Sequence, residues 1–194
     1  MMASSETLAA AVRNIPDFPK PGIQFKDITP ILAHPELFEA AIHHLTSPYK
    51  PGDVDVIVGV DARGFIFAAA AALHLKAGFV PVRKKGKLPF DTHEESYDLE
   101  YGSNTVAIHT DAIHKGSRTL LIDDLLATGG TAVAALNLLK KLEADILEAT
   151  FLIELEFLNG RSLLGDVPTR SIISILRFLP SPSREDSSFF GSRL

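Results

Sequence analysis

The chain has 194 residues, 46% of them hydrophobic and 22% charged, with a formal net charge of −5; that suffices for one sizeable α/β domain and is short for two. The acidic balance argues against a nucleic-acid binder, which carries a basic excess. Without cysteine there is neither a disulfide framework nor thiolate chemistry, the longest apolar run, residues 65–73, is too short to span a bilayer, and the seven histidines fall at no metal-like spacing.

From the N-terminus, Ser4 or Ser5 caps a predicted helix through about Val12, with Leu8, Val12 and Ile15 on one face. Pro16-Asp17-Phe18-Pro19-Lys20-Pro21-Gly22 then breaks regular structure and forms a stiff loop. Ile23-Gln24-Phe25-Lys26-Asp27-Ile28 is either a connecting strand or an edge against which a base lies, with Phe25 as its apolar wall. Leu37, Phe38, Ala41, Ile42 and Leu45 give residues 35–45 the stripe of an amphipathic helix. Residues 54–60 are rich in β-branched side chains and read as a buried strand. It ends at Asp61-Ala62-Arg63-Gly64, before an Ala-rich helix over residues 65–76. Arg63 is the fixed cation of that turn, and a guanidinium matches phosphate oxygens in pairs.

A short strand at residues 79–82 delivers Arg83-Lys84-Lys85-Gly86-Lys87, four cations in five residues. Such a run is either a solvated face or a means of gathering polyanionic charge. Residues 88–102 hold five acids and no sustained periodicity, which predicts a long loop of the kind that serves as a lid. Tyr97-Asp98-Leu99-Glu100-Tyr101 can begin a hairpin that turns at residues 102–104 and returns over 105–109.

The most informative stretch is Leu120-Leu121-Ile122-Asp123-Asp124-Leu125-Leu126-Ala127-Thr128-Gly129-Gly130-Thr131. An apolar strand ends in two carboxylates, and a small-residue turn opens a long helical pattern. The first backbone N–H groups of a helix lack partners and sit in positive potential, so such a turn receives anions. Gly129 and Gly130 allow close backbone approach, Thr128 and Thr131 offer hydroxyl donors, and Asp123 and Asp124 can accept from sugar hydroxyls. Further strands are predicted at residues 147–155 and 170–176, with a turn at Asn159-Gly160. Strands alternating with helices predict an α/β fold, a single domain over residues 1–179 with a mostly parallel, helix-flanked twisted sheet. Its ligand belongs at the carboxyl ends of the strands. Residues 180–194 are Ser-rich and read as a flexible tail.

These strings resemble the type I phosphoribosyltransferases and, within them, the adenine phosphoribosyltransferase family. The resemblance runs in order over about residues 8–176, through Pro16-Asp17-Phe18-Pro19, Gly22 to Ile28, Asp61-Ala62-Arg63-Gly64-Phe65, Arg83 to Pro89, Leu99-Glu100-Tyr101-Gly102, the acidic-pair motif, and Leu158-Asn159-Gly160-Arg161. It implies the type I fold with a lid or hood loop over about residues 88–104, and transfer of phosphoribose from phosphoribosyl pyrophosphate (PRPP) to adenine, giving AMP and pyrophosphate. Mg2+ is the implied cofactor, held mainly by PRPP, with direct protein ligands unassigned.

By the same resemblance Ala127, Thr128, Gly129, Gly130 and Thr131 hold the 5′-phosphate, and Asp123 and Asp124 the ribose. Asp61, Ala62, Arg63 and Gly64 wrap the pyrophosphate, often through a cis peptide at Asp61–Ala62. Arg83 reaches it across a homodimer interface, with Lys84 and Lys87 nearby. Gln24, Phe25 and Lys26 lie at the adenine, with Leu125 or Leu126 on its other face. Glu100 and Tyr101 sit on the lid, Glu100 as proton carrier. Ala62 stands where a serine is common, Phe90 where a glycine usually follows Lys-Leu-Pro, and His93-Glu94-Glu95 makes the lid more acidic. No nucleic-acid or membrane partner is expected. The location expected is cytoplasmic, with a peroxisomal address through Ser192-Arg193-Leu194 as the alternative.

Overall fold

The computed structural model describes residues 2–98 and 103–176. Glu100 and Tyr101, and the expected tail with its boundary at residue 179, lie outside the described residues. Helix α1 (Ser5–Ala11) is capped by Ser4, whose hydroxyl accepts from the Thr7 N–H. Strands β1 (Arg13–Pro16) and β2 (Gln24–Asp27) form an antiparallel pair, with Arg13 opposite Asp27 and Pro16 opposite Gln24. Ile15 thus belongs to a strand rather than to the face of the first helix. The short α2 (Thr29–Ala33) and the longer α3 (Pro35–Thr46) follow.

The main sheet is built from β3 (Val56–Val60), β4 (Gly78–Lys84), β5 (Thr92–Asp98), β6 (Ser103–His109), β7 (Arg118–Leu126), β8 (Asp145–Leu155) and β9 (Thr169–Ile175), with α4 (Gly64–Leu75) and α5 (Gly130–Lys141) among the connections. Its order is β5-β6-β4-β3-β7-β8-β9. Strands β4, β3, β7, β8 and β9 run parallel, and the β5–β6 hairpin adds antiparallel to β4. The fold is therefore the predicted α/β architecture with a mostly parallel sheet. Neighbouring strand residues go to opposite faces. Ile57, Leu120 and Ile122 join a core with α1 to α4, whereas Val58, Leu121 and Val82 join one with α5 and the hairpin. Helix α4 is apolar nearly all round; Phe67, Ala68, Ala71, Ala72 and Leu75 are buried, whereas Ile66 and Leu73 are exposed. Gly59 lets it approach β3, since a Cβ there would stand 2.6 Å from that of Ala68.

One expectation is corrected. Residues 88–102 are not a continuous loop, because Thr92 to Asp98 pair residue by residue with Ser103 to His109. The polar sequence of β5 hid the strand. It forms the edge of the sheet, where charged side chains such as Glu94 and Glu95 are tolerated and discourage further pairing. Lys141, at the end of α5, donates to the Glu94 carbonyl at 2.9 Å and pairs with Glu95 at 2.8 Å.

Candidate active site

The sheet brings two strand–turn–helix junctions side by side. At the first, β7 runs into residues 127–129 and then α5. Gly129 takes φ +88, and α5 has no side-chain cap, so its first N–H groups stay available to a ligand. Asp123, Leu125 and residues 126–132 line an open recess of about 80 Å³ there. Oxygen acceptors placed in it meet backbone N–H groups, the Thr128 and Thr131 hydroxyls, and the positive end of the helix dipole.

The turn rests on a floor that sequence reading assigned only as a turn. Gly160 lies beneath residues 127–129, and a Cβ on it would overlap the Ala127 carbonyl oxygen and come within 2.8 Å of the Gly129 nitrogen. An ion pair with its carboxylate buried anchors the next residue, Arg161. Glu154 is 3% exposed and accepts from Arg161 Nε at 2.9 Å and from Ser171 Oγ at 2.5 Å, while Arg161 also donates to the Thr169 carbonyl. The Arg161 bonds hold the Glu154 carboxyl below its usual range. The Asn159-Gly160-Arg161 string was the available sequence signal, since a glycine flanked by a turn former and a paired arginine marks a fixed backbone approach.

The two acids lie where the junctions meet. Gly64, the first residue of α4, packs against Asp123 so closely that a Cβ would overlap its carboxylate. Asp123 Oδ1 accepts the Asp124 N–H at 2.8 Å. Asp124 is 6% exposed, and its Oδ2 lies 2.7 Å from Arg63 Nη2 without hydrogen-bond alignment. That oxygen has charge neutralisation but no directed donor, and a sugar hydroxyl is a donor of the missing kind. Burial, then the charge of Asp124, push the Asp123 carboxyl well above the ordinary range. Burial also raises Asp124, with Arg63 opposing it.

Arg63 ties three predicted parts together. Besides pairing with Asp124, it donates to the Lys26 carbonyl at 3.2 Å and stands 5.0 Å above the Phe25 ring. Phe18 meets Phe25 edge to face at 5.1 Å, which fixes that ring. Gln24, Phe25 and Lys26 are all half-buried, and the Lys26 ammonium turns to the Asn14 side chain. Burial lowers its pKa. Leu125 and Leu126 go to opposite sides of the sheet. Leu126 is 1% exposed in the core beneath α5, which leaves Leu125 as the side chain able to face a flat ligand.

The turn at residues 61–64 contains a cis peptide at Asp61–Ala62. Arg83 folds over it, with Nε 3.3 Å from Asp61 Oδ2 and Nη1 donating to the Lys87 carbonyl at 3.1 Å. Lys84 and Lys87 are exposed, and Lys85 pairs with Glu94 at 2.7 Å. Tyr97, expected only as the start of a hairpin, has its hydroxyl 2.8 Å from Thr131 Oγ1. Its alternating stretch is a strand signal, but nothing in the sequence points to that contact. Among the described residues, no three His, Asp or Glu side chains converge to hold a cation. The donor set instead offers the Asp123–Asp124 pair, which suits a hard cation only with oxygens brought by a ligand.

The sequence signature of the phosphoribosyl transferase domain matches residues 27–160. A protein of Acidothermus cellulolyticus named adenine phosphoribosyltransferase is 54% identical over 170 residues, 88% of this chain and 96% of that one. The adenine phosphoribosyltransferase of Rhodothermus marinus superposes with a TM-score of 0.84 at 50% identity, covering 88% of this chain and 98% of its own. The Saccharomyces cerevisiae enzyme, solved with an imino-altritol bisphosphate and adenine, gives 0.82 at 43% identity, over 87% of this chain and 97% of that one.

Proposed function

Because the chain belongs to the phosphoribosyl transferase family, we infer that it transfers phosphoribose from PRPP to adenine, releasing AMP and pyrophosphate in purine salvage. The observation that carries the reading is the meeting of the two junctions through Gly64 against Asp123 and Arg63 against Asp124. One junction suits a phosphate, the other a diphosphate, and the acids between them suit the ribose that joins the two.

Breaking the bond to pyrophosphate builds positive charge at the anomeric carbon and negative charge on the leaving group. In this reading residues 127–131 anchor the 5′-phosphate, and Asp123 and Asp124 take the ribose hydroxyls. Arg63, the 61–64 backbone and the basic loop with Arg83, Lys84 and Lys87 receive the diphosphate. Adenine lies by Phe25, with Gln24, Lys26 and Leu125 around it, and Glu100 carries the proton that the base exchanges, beside Tyr101. Magnesium arriving on the diphosphate would supply further charge neutralisation of the leaving group.

The reading extends to a homodimer. Ile66 and Leu73, seven apart on α4, are 40% and 84% exposed, an apolar face that a second copy would cover. Sedimentation at micromolar concentration tests it, and a monomer would end that part of the reading. A cytoplasmic location is proposed too; a reporter carrying residues 181–194 that entered peroxisomes would replace it.

The test of the activity is a purine panel. AMP should form from adenine and PRPP with magnesium, and hypoxanthine, guanine and xanthine should be poor acceptors. Preference for any of those three would reassign the base, and no turnover by a folded chain would remove the activity.

A further inference from the structure

We propose that Tyr97 is a positioning residue for the phosphate turn: its phenol sets where the Thr131 hydroxyl points its proton, and so couples the β5–β6 hairpin to capture of the 5′-phosphate. This rests on the reading of residues 127–131 as the phosphate site.

Thr131 is the second residue of α5 and lines the recess, and its Oγ1 donates to the Tyr97 hydroxyl at 2.8 Å. The Tyr97 ring is half-buried against the core beneath α5, so the phenol is held rather than free to swing. Lys141 fixes the same strand at the other end of the helix, through the Glu94 carbonyl and the Glu95 carboxylate. Strand β5 is thereby fastened along α5 at both ends, and Tyr97 is the fastening that holds a residue lining the recess.

A threonine hydroxyl has one proton and two lone pairs, and a phosphate dianion only accepts. With the recess open, the proton of Thr131 is spent on Tyr97. Seating a phosphate turns that proton towards the phosphate oxygen and leaves a Thr131 lone pair facing the phenol. The phenol both donates and accepts, so it rotates its own proton into the contact. The hydrogen bond persists with its sense reversed, and no bond is made or broken beyond it. A phenylalanine cannot do this. Without the phenol, Thr131 can satisfy its proton and its lone pairs with water in the open recess, but a seated phosphate displaces that water, takes the proton and leaves a lone pair facing the ring. The cost therefore falls on phosphate-bearing ligands.

Calorimetry of AMP, ribose 5-phosphate and pyrophosphate on the full chain tests this in wild type, Tyr97→Phe, Thr131→Val and the double variant. Tyr97→Phe should weaken AMP and ribose 5-phosphate by about 5- to 10-fold, leave pyrophosphate unchanged, and add nothing in the Thr131→Val background. The KM for PRPP should rise with kcat nearly unaltered. Unchanged AMP affinity, an equal loss for pyrophosphate, or additivity with Thr131→Val would overturn the proposal. A 3-fluorotyrosine label at position 97 reads the reversal in an otherwise unaltered chain. Its fluorine signal should shift with AMP and not with pyrophosphate, and indifference to AMP overturns the proposal as well. A wild-type chain that binds neither AMP nor ribose 5-phosphate overturns the reading of the site itself, and the role of Tyr97 with it.

Discussion

Gly129 and Gly160 meet backbone to backbone: a Cβ on Gly129 would stand 2.5 Å from the Gly160 carbonyl oxygen. The turn proposed for the phosphate is therefore shaped from below as much as by its own sequence. Gly160→Ala pushes a methyl group into the Ala127 carbonyl, so the turn must lift. Overpacking of this kind costs about 1–3 kcal/mol, and here it is expressed in ligand affinity as well as stability. AMP binding should fall by roughly 10-fold or more and the melting temperature should drop. Wild-type AMP affinity in Gly160→Ala would refute the floor.

Arg161 is the next support. Arg161→Met strands the buried Glu154 carboxylate with Ser171 as its remaining side-chain donor. Leaving such a charge unpaired costs several kcal/mol when both partners are buried. Arg161 is 44% exposed, so about 2 kcal/mol is expected. Denaturant unfolding measures it. Arg161→Met with Glu154→Gln should recover part of the loss, because the neutral amide no longer needs the guanidinium; no recovery would show that charge is not what holds the pair.

Asp123 yields a prediction about pH. Its carboxyl is held above the ordinary range by burial and by Asp124, so the folded chain binds this proton more tightly than the unfolded chain. Stability contributed here is present in acid and declines as pH rises from the unfolded value, about 3.9, through the raised one. Asp123→Asn should thus stabilise the chain at neutral pH by on the order of 1 kcal/mol. The gain should vanish below about pH 4, while AMP formation falls at least ~10-fold. Unfolding curves at acid and neutral pH, with assays alongside, decide it. A variant no more stable than wild type at neutral pH would contradict the argument.

Glu100→Ala tests the proton carrier. Turnover should fall by ~10²–10⁴-fold, with PRPP affinity little changed. Single-turnover assays with separate PRPP titrations distinguish the two effects, and unaltered turnover takes Glu100 out of the mechanism.

Much of the fold was legible because its signals are local. The β-branched run at residues 54–60, the stripe at 35–45 and the acid pair before two glycines each carry their own period or turn chemistry. The observed β3, α3, β7 and α5 lie on those stretches. What was not legible depends on partners distant in sequence. The strand Arg13–Pro16 exists through its register with β2, despite ending in proline. Thr92 to Ser96 belong to a strand because β6 and α5 receive them, although their own pattern is that of a loop. The same holds at the site. Asp123, Asp124 and the glycine pair announced themselves, but Gly160 lies some thirty residues further on, and Tyr97 as far before Thr131. Only the folded sheet brings them to one turn.

The bridge from Arg63 to Asp124 has a last consequence. Before any ligand arrives, the cation proposed for the diphosphate is engaged with the carboxylate proposed for the ribose. On the proposed function a sugar hydroxyl joins the pair without parting it, because Asp124 Oδ2 still lacks a directed donor. The phosphoribosyl donor then meets an arginine already in position, and less side-chain freedom is lost on binding.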